Sequence, residues 1–485
     1  MLNAWRDGRT ILVVGGGFTG TLLALAVAAR PGLRAVLIER EPRAGRGLAY
    51  GACADLHVLN VPVSRMEVGL EPGFGQWLAQ RPQALAGALD EAGGDLARAF
   101  VARRLFGDYL AARLEEALAR PQSPLMRVRG EAVRVEDRPR PAVVLADGRR
   151  LEGDAVVLAT GNLPPRPPRC RDDGFYDTPA FVPDPWARDE LAAVGENAPV
   201  VLIGTGLTMV DVALRLAAGG HRGPMVAVSR HGLLPHAHLR PAAPEAAGAA
   251  PVLADLAGAG PAEVLRRLRA AVRAAGVPWQ RVMDAVRPQL PGIWSRWTLV
   301  EKARFLRHGR TLWDVHRHRM APRIAAGLDG LLAQGRLRVV AGRIAGFRRA
   351  EGADGAVSVQ VRPRGGGASL AFEAAHVVNC TGPRSDLAEI GVPLFADLRR
   401  AGRIAPDALG LGLETRDCAV VDRFGAASSW LFALGPLTRP AWWEITAVPE
   451  VAVQVHRLAA HLARPRAAEP AGTLLEDFIH LGEGI

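Results

Sequence analysis

At 485 residues the chain exceeds the usual size of one domain, so two or three domains with well-buried cores are expected, without disulfides or a structural metal to hold them. The formal net charge of +11 rests on 60 basic residues of which only Lys302 is lysine; with abundant alanine and glycine this reads as base composition, and no arginine block interleaved with aromatics suggests a nucleic-acid partner. Cys53, Cys170, Cys380 and Cys418 lie far apart with no C-x-x-C pair, which fits a reducing compartment and argues against a disulfide reductase.

The first strand is reached by Thr10 without a basic, apolar leader, and no apolar run is long enough to span a bilayer, so a cytoplasmic protein with no membrane partner is expected. "ILVV" is a short β-branched run, glycines follow at once, "TLLALAVAAR" has helical spacing, and "RAVLIE" supplies a second strand. This is a β-α-β unit. "AVVLADGRRLEGDAVVLATG" reads as a strand, a D-G turn and a strand ending at Thr160 and Gly161, after which "NLPPRPPR" breaks regular structure as an interdomain connection would. A second β-α-β unit runs from Val200 to about Arg230. From about 235 to 322 the pattern is helical, as in "PAEVLRRLRAAVRAAG" and "WTLVEKARFLRHGRTLWDVHRHR". Strands resume with "LRVVAGRIAGF", "AVSVQV" and "HVVNCTG", and "WLFALG" precedes a helical C-terminal stretch. The expected fold is α/β, with two Rossmann-like dinucleotide-binding domains. Residues 1–165 and 376–485 form one; residues 196–375 form the other and carry the helical insertion.

In the first turn Gly15, Gly17 and Gly20 fit G-x-G-x-x-G directly after a strand and at the start of a helix. The three glycines serve a tight turn, backbone approach to a pyrophosphate, and close helix–strand packing. Phe18 and Thr19 lie within the same turn, at the helix start where backbone N–H groups face phosphate. Glu39, followed by Arg40, closes the second strand; its carboxylate accepts both hydroxyls of an adenosine ribose and repels a 2′-phosphate, so this unit selects FAD or NAD. The second turn repeats Gly204 and Gly206 ahead of Leu207 and Thr208, but Met209 fills the third small-residue position and Asp211 follows, so its packing must be looser or differently arranged. Its second strand ends in Ser229 and Arg230 with no acid, which suits the 2′-phosphate of NADPH; a merely solvated strand-end arginine is the bland alternative. The simplest assignment is FAD in the first unit and NADPH in the second.

"VVGGGFTG", "GRGLAYG", "HVLNVP", "VVLATGNLPP", "IGTGLTMVD", "VSRHGLLP", "WDVHRHRMAP", "VVNCTGP" and "LFALGPLTRPAWWEITAVPE" occur in order along nearly the whole chain. Together they resemble the bacterial FAD-NAD(P)-binding proteins, related in architecture to two-dinucleotide-domain reductases and flavin monooxygenases. The resemblance implies flavin and nicotinamide binding and leaves the substrate open. It implies that Gly15, Gly17, Gly20 and Glu39 hold the adenosine diphosphate of FAD and that Arg46 and Asn60 contact the flavin. Thr160-Gly161 and Thr381-Gly382 resemble the strand-end turns where such chains pass between domains. Two departures stand out. Gly435 is followed by Pro436 where related flavoproteins have an Asp on the ribityl chain, and no histidine lies between Thr160 and Val200, which removes the Baeyer–Villiger fingerprint.

His316 and His318 are two apart, a spacing that shares a face on a strand but not on a helix, so no metal site is expected in this helical stretch. Polar packing and an active-site role remain open for both. Trp294, Trp297 and Trp313 are expected in the core of the insertion. "TRPAWWEIT" is expected to begin a helix whose N-terminal amides stabilise negative charge on a reduced flavin, with Trp442, Trp443 and Glu444 as candidate catalytic residues on the substrate side. The expected activity is an FAD-dependent oxidoreductase that takes hydride from NADPH, a monooxygenase of a small molecule. The alternatives are a reductase with a soluble acceptor and a non-catalytic FAD-binding redox sensor.

Overall fold

The computed structural model describes residues 8–170, 174–187, 190–239, 256–276, 278–349, 356–387 and 391–464. Arg9–Val14 forms the centre of a seven-stranded sheet, parallel to Leu33–Glu39 on one side and Ala155–Leu158 on the other. Leu125–Arg129 extends the sheet beyond Leu33–Glu39. Ala427–Ala433, more than 250 residues downstream, adds in parallel beside Ala155–Leu158 and brings a short antiparallel edge with it. This sheet is therefore built from both ends of the chain.

The continuous apolar run of the first strand follows from cover on both faces. Ile11 and Val13 point into a core shared with the helices Phe18–Ala28, Arg103–Leu118 and Val448–Ala463, whereas Leu12 and Val14 point into one with the hairpin sheet around Val143 and the helix Pro393–Arg400. Alternate side chains of one strand thus anchor two layers.

A second seven-stranded sheet centres on Val200–Ile203, parallel to Met225–Ser229 and to His376–Asn379. Leu337–Arg349 and Phe181–Val182 continue it in parallel, and two antiparallel strands complete one edge. The expected domain boundaries at 196 and 375 need correction. His376–Asn379 and Phe181–Val182 pair within the second sheet, so this domain starts before 196 and ends after 375. The chain crosses between the domains twice, and the two crossings pair with each other as the small ribbon of Leu163–Pro165 and Pro383–Arg384.

The helical insertion is present, although its residues 240–255 lie outside the described ones. Pro261–Ala275, Trp279–Val286, Leu290–Arg296, Leu299–Arg304 and Arg310–Arg317 surround a core of Leu256, Val282, Ile293, Trp294 and Trp297. That core also takes in Leu411 and Trp443 of the first domain, so the insertion is packed against that domain. Trp294 donates its indole N–H to the Pro440 carbonyl at 2.7 Å and Trp297 to that of Ala259 at 2.9 Å, so both buried tryptophans have partners. Among the described residues no helix is long and apolar enough to cross a membrane.

Candidate functional site

The first glycine turn has the geometry its sequence calls for. Gly15 has φ +105°, and a Cβ there would lie 2.5 Å from the Ala159 carbonyl oxygen, so only glycine fits. At Gly20 a Cβ would lie 1.8 Å from the Gly15 oxygen, which is the close helix–strand contact. Gly17 differs. Its φ is −72° and the nearest atom to a Cβ would be Gly47 Cα at 3.5 Å, so the protein itself leaves room for a side chain. A position that tolerates a Cβ but faces a cavity has the form of a ligand cradle.

Glu39 turns back over this cradle. Its Oε2 accepts from the Gly16 N–H at 2.5 Å and its Oε1 from the Glu41 N–H at 2.9 Å, which fixes the carboxylate at the strand end where an adenosine ribose would lie. The exposed Arg40 stands beside it.

The second turn repeats the backbone of the first. Gly204 has φ +112° and a Cβ there would meet the Cys380 oxygen at 2.6 Å, while a Cβ on Gly206 would meet nothing within 4 Å. Leu207–Ala218 forms the helix that follows. Met209, fully buried, fills the third position by packing into the domain core. Asp211 docks the domains: its Oδ2 accepts from Arg103 Nη2 at 3.0 Å, and its carbonyl accepts from His57 Nε2 at 3.3 Å. His57 Nδ1 accepts the Ala54 N–H at 3.0 Å, so Nε2 carries the proton, and burial holds the ring's pKa below its usual value. Arg103 lies in no quoted motif and His57 opens "HVLNVP", but only the fold brings the two to Asp211.

At the end of the second strand the two expected phosphate contacts separate. Ser229 is turned into its own loop, where its Oγ accepts from the Gly232 N–H at 3.0 Å and lies 2.9 Å from Thr205 Oγ1. Because Thr205 Oγ1 donates to the Leu233 carbonyl at 2.6 Å, the Ser229 hydroxyl donates to Thr205 and has no proton left for a phosphate. Arg230 is exposed at the strand end.

A continuous cavity of about 2120 Å³ runs from the first turn to the second domain. Gly15, Gly17, Phe18, Thr19, Glu39 and Arg40 line one end, Arg46, Asn60, Thr160, Gly161 and Pro436 the middle, and Leu207, Thr208 and Gly382 the far side. Gly20, Gly204, Gly206, Ser229, Arg230, Thr381 and Gly435 do not line it. Of these, Gly435 has φ +69° and donates its N–H to Gln454 Oε1 at 2.8 Å, while Thr381 Oγ1 donates to Asn379 Oδ1 at 2.7 Å, both shaping the walls. Gly161 and Gly382, with φ +71° and +82°, make the two strand-end turns where the chain changes domain.

Several polar groups in this cavity lack a protein partner. Thr160 Oγ1 is buried without a hydrogen bond, and so is Arg46 Nε, although Arg46 Nη2 pairs with Asp108 at 2.7 Å. Buried polar atoms of this kind want a ligand or water. The residues therefore fit a bound dinucleotide: an open cradle at Gly17, a ribose-directed Glu39, Leu207 and Thr208 on the far side, and unpaired donors between them. His238, on the loop leading into the insertion, donates Nε2–H to the Asn60 carbonyl at 2.7 Å, and burial lowers its pKa to about 4, so it is neutral where it meets the cavity.

The segment of Trp442, Trp443 and Glu444 lies elsewhere than expected. Regular helix begins only at Val448, with Ala447 as its N-cap, and Thr446, Ala447 and Val448 line the cavity instead. Trp443 is 5% exposed and stacks on Trp294 at 4.8 Å. Trp442 packs against the first-domain core. Glu444, 8% exposed, accepts from Trp313 Nε1 at 2.7 Å and pairs with Arg317 at 2.8 Å. Trp443 and Glu444 join the insertion to the first domain, and none of the three residues lines the cavity. His316 and His318 diverge as helical spacing requires. His316 packs on His236 and Trp279, while His318 reaches the cavity. Among the described residues no cluster of metal-ligating side chains occurs.

Residues 12–163 match the model of the FAD-NAD(P)-binding family. No curated protein matches the sequence. The fold is similar to that of Kutzneria sp. 744 ornithine N-hydroxylase, with reduced FAD, NADP+ and L-ornithine (TM-score 0.63, 17% identity, 94% of this chain and 99% of that one). It is also similar to L-lysine 6-monooxygenase from Pseudomonas syringae (TM-score 0.65, 18% identity, 94% and 99%). The FAD-bound cadaverine monooxygenase DfoA from Erwinia amylovora shares it too (TM-score 0.64, 11% identity, 95% and 96%). The architecture is thus that of flavoproteins with two dinucleotide domains.

Proposed function

We propose that the chain is an FAD- and NADPH-dependent monooxygenase that hydroxylates a small amine. The observation that carries this reading is the single cavity that joins the ribose-directed Glu39 and its glycine cradle to Leu207 and Thr208 of the second dinucleotide turn. One space serving both turns suits direct hydride transfer between two cofactors, and the similarity to three amine monooxygenases across nearly the full chain supports oxygen as the final acceptor.

FAD, when bound, supplies hydride acceptance from NADPH and the reaction of the reduced ring with oxygen. The chain's own residues hold and shield that chemistry. Gly17 and its neighbouring amides would hold the pyrophosphate, Glu39 would take the ribose hydroxyls, and Arg46 and Thr160 would offer donors along the cavity. Arg230 is the group available for the 2′-phosphate of NADPH, with Ser229 shaping the loop that presents it. The Arg103–Asp211 pair keeps the two domains registered, and the insertion, pinned through Trp443 and Glu444, closes one side against water. Pro436 puts an apolar ring where related flavoproteins have a carboxylate, so the ribityl chain has no acidic partner at that position.

Overall, NADPH, a proton and oxygen are consumed, and NADP+, water and the N-hydroxylated amine are formed. The test is to reduce FAD-loaded protein with NADPH without oxygen, admit oxygen with an amine, and measure oxygenated product per NADPH. Coupled product formation supports the reading. Fast turnover only with an artificial acceptor assigns the protein to the reductases, and failure of NADPH to bleach the flavin assigns it to non-catalytic binders.

A further inference from the structure

A second cavity, of about 280 Å³, opens beside the first and shares half of its lining with it, including Gly161, His318, Pro383, Pro436 and Thr446. None of the residues of the pyrophosphate cradle line it. Its charged lining is Arg310, Arg384, Arg439 and Asp314, with His318 beside them.

These groups come from three separate segments. Arg310, Asp314 and His318 lie along the last helix of the insertion and its C-cap, Arg384 on the ribbon that links the domains, and Arg439 just after the last strand. Arg439 lies over the Trp443 ring at 4.2 Å, so the tryptophan that stacks in the insertion core also supports this guanidinium. The "AWWEI" segment therefore reaches the site through Arg439.

The cations are not satisfied by the protein. Arg384 Nε and Nη2 and Arg439 Nε are buried without a hydrogen-bond partner. Among the described residues Asp314 is the only carboxylate of the lining, and its Oδ2 is taken by Arg310 Nε at 3.3 Å, leaving Oδ1 buried and without a hydrogen bond 3.8 Å from His318 Nε2. Burial and the neighbouring Arg310 lower the Arg439 pKa to about 10, and burial also lowers that of His318, so the ring adds no charge at neutral pH. The pocket carries an excess of two positive charges in a space sized for a small molecule. Unpaired buried guanidinium groups call for an anionic ligand, and carboxylate is the planar, bidentate match. A diamine, with two ammonium groups, is repelled.

We propose that this pocket is the substrate subsite and that its ligand is a small amine bearing carboxylates, in which Arg384 and Arg439 take the carboxylates and Asp314 Oδ1 takes the ammonium. The proposal rests on the monooxygenase reading and names its substrate class. It separates this chain from the structurally similar enzymes named for ornithine, lysine and cadaverine, whose substrates all carry a second amine.

The test measures binding without turnover. FAD-loaded oxidised protein is titrated, in the absence of NADPH, with acidic, neutral and basic amino acids, with cadaverine and with succinate, following flavin difference absorbance and heat. Acidic amino acids are expected to bind at least about tenfold more tightly than neutral ones, with no saturation by cadaverine. Arg384→Gln and Arg439→Gln should each weaken them about tenfold or more, and Asp314→Asn should weaken amino acids but not succinate. Retained flavin absorbance certifies each variant as folded, and Arg→Lys replaces any that fails. Tighter binding of lysine or cadaverine, or unchanged affinity in both arginine variants, overturns the proposal. If acidic amino acids bind as expected but yield no oxygenated product with NADPH and oxygen, the subsite stands and the monooxygenase reading falls.

Discussion

Gly17→Ala separates a glycine needed by the ligand from one needed by the fold. At Gly17 the backbone is already at φ −72° and a Cβ would have its nearest contact at 3.5 Å, so alanine fits without strain. Gly17 is the N-cap of its helix, where alanine costs about 0.5–1 kcal/mol relative to better caps, offset by about 0.4–1 kcal/mol from reduced freedom of the unfolded chain. The cofactor-free variant should therefore unfold in urea within about 1 kcal/mol of the cofactor-free parent. Binding is different. The methyl group occupies the approach of the pyrophosphate, and each charge-assisted hydrogen bond lost to a phosphate oxygen removes about 1.5–3 kcal/mol, or at least tenfold in affinity. Two lost bonds predict weakening of FAD by about a hundredfold or more. The control is Gly20→Ala, whose Cβ would lie 1.8 Å from the Gly15 oxygen and should destabilise the cofactor-free protein by several kcal/mol, on the order of 4. Affinities come from flavin fluorescence titration of apoprotein, and stabilities from urea unfolding. Parental FAD affinity in folded Gly17→Ala refutes the assignment of this turn to the pyrophosphate.

Further outcomes are expected at other points of the site. Arg230→Ala should weaken NADPH by about tenfold while sparing NADH, and Ser229→Ala should affect both nucleotides alike, because its hydroxyl serves the loop; equal losses of both nucleotides in Arg230→Ala contradict the phosphate role. Arg103→Met leaves Asp211 unpaired and should cost about 3 kcal/mol in urea unfolding; a change under about 0.5 kcal/mol shows that the pair does not hold the domains together. His238, lowered from 6.5 to about 4, binds its proton in the unfolded chain before it does so in the fold. Its contribution is whole above pH 6.5 and is lost as the pH falls towards about 4, amounting to about 3 kcal/mol. In His238→Gln the pH dependence of urea stability across this window should flatten, and an unchanged slope removes His238 as its source.

The local patterns were legible because short-range sterics make them. Gly15 and Gly204 sit at positive φ against a neighbouring carbonyl, and their strand–glycine–helix context follows from that need. Glu39 was legible for the same reason, as it ends the strand next to the turn. The signals failed where a side chain's partner is remote in sequence. Ser229 looks free at a strand end, yet Thr205 and Gly232 take its hydroxyl. Trp443 and Glu444 look like site residues, yet their partners, Trp294, Trp313 and Arg317, lie in the insertion. The domain boundary at 375 was misplaced because "HVVN" reads as a strand without saying which sheet it joins; its partner is Val200–Ile203. Arg384 follows "VVNCTGP" and Arg439 sits within "TRPAWWEIT", yet neither stands out in the sequence, since their meaning lies in the acceptors they lack.

In the proposed reaction one cavity lets NADPH reduce bound FAD and lets the reduced flavin deliver oxygen to an amine. The most direct measurement is a single turnover: FAD-loaded protein is bleached with one equivalent of NADPH without oxygen, then mixed with labelled oxygen gas and an amine bearing carboxylates, and the product is weighed by mass spectrometry. The proposed reaction predicts flavin bleaching by NADPH and one labelled oxygen atom on the amine nitrogen. Bleaching followed by reoxidation with no label in any amine supplied contradicts it.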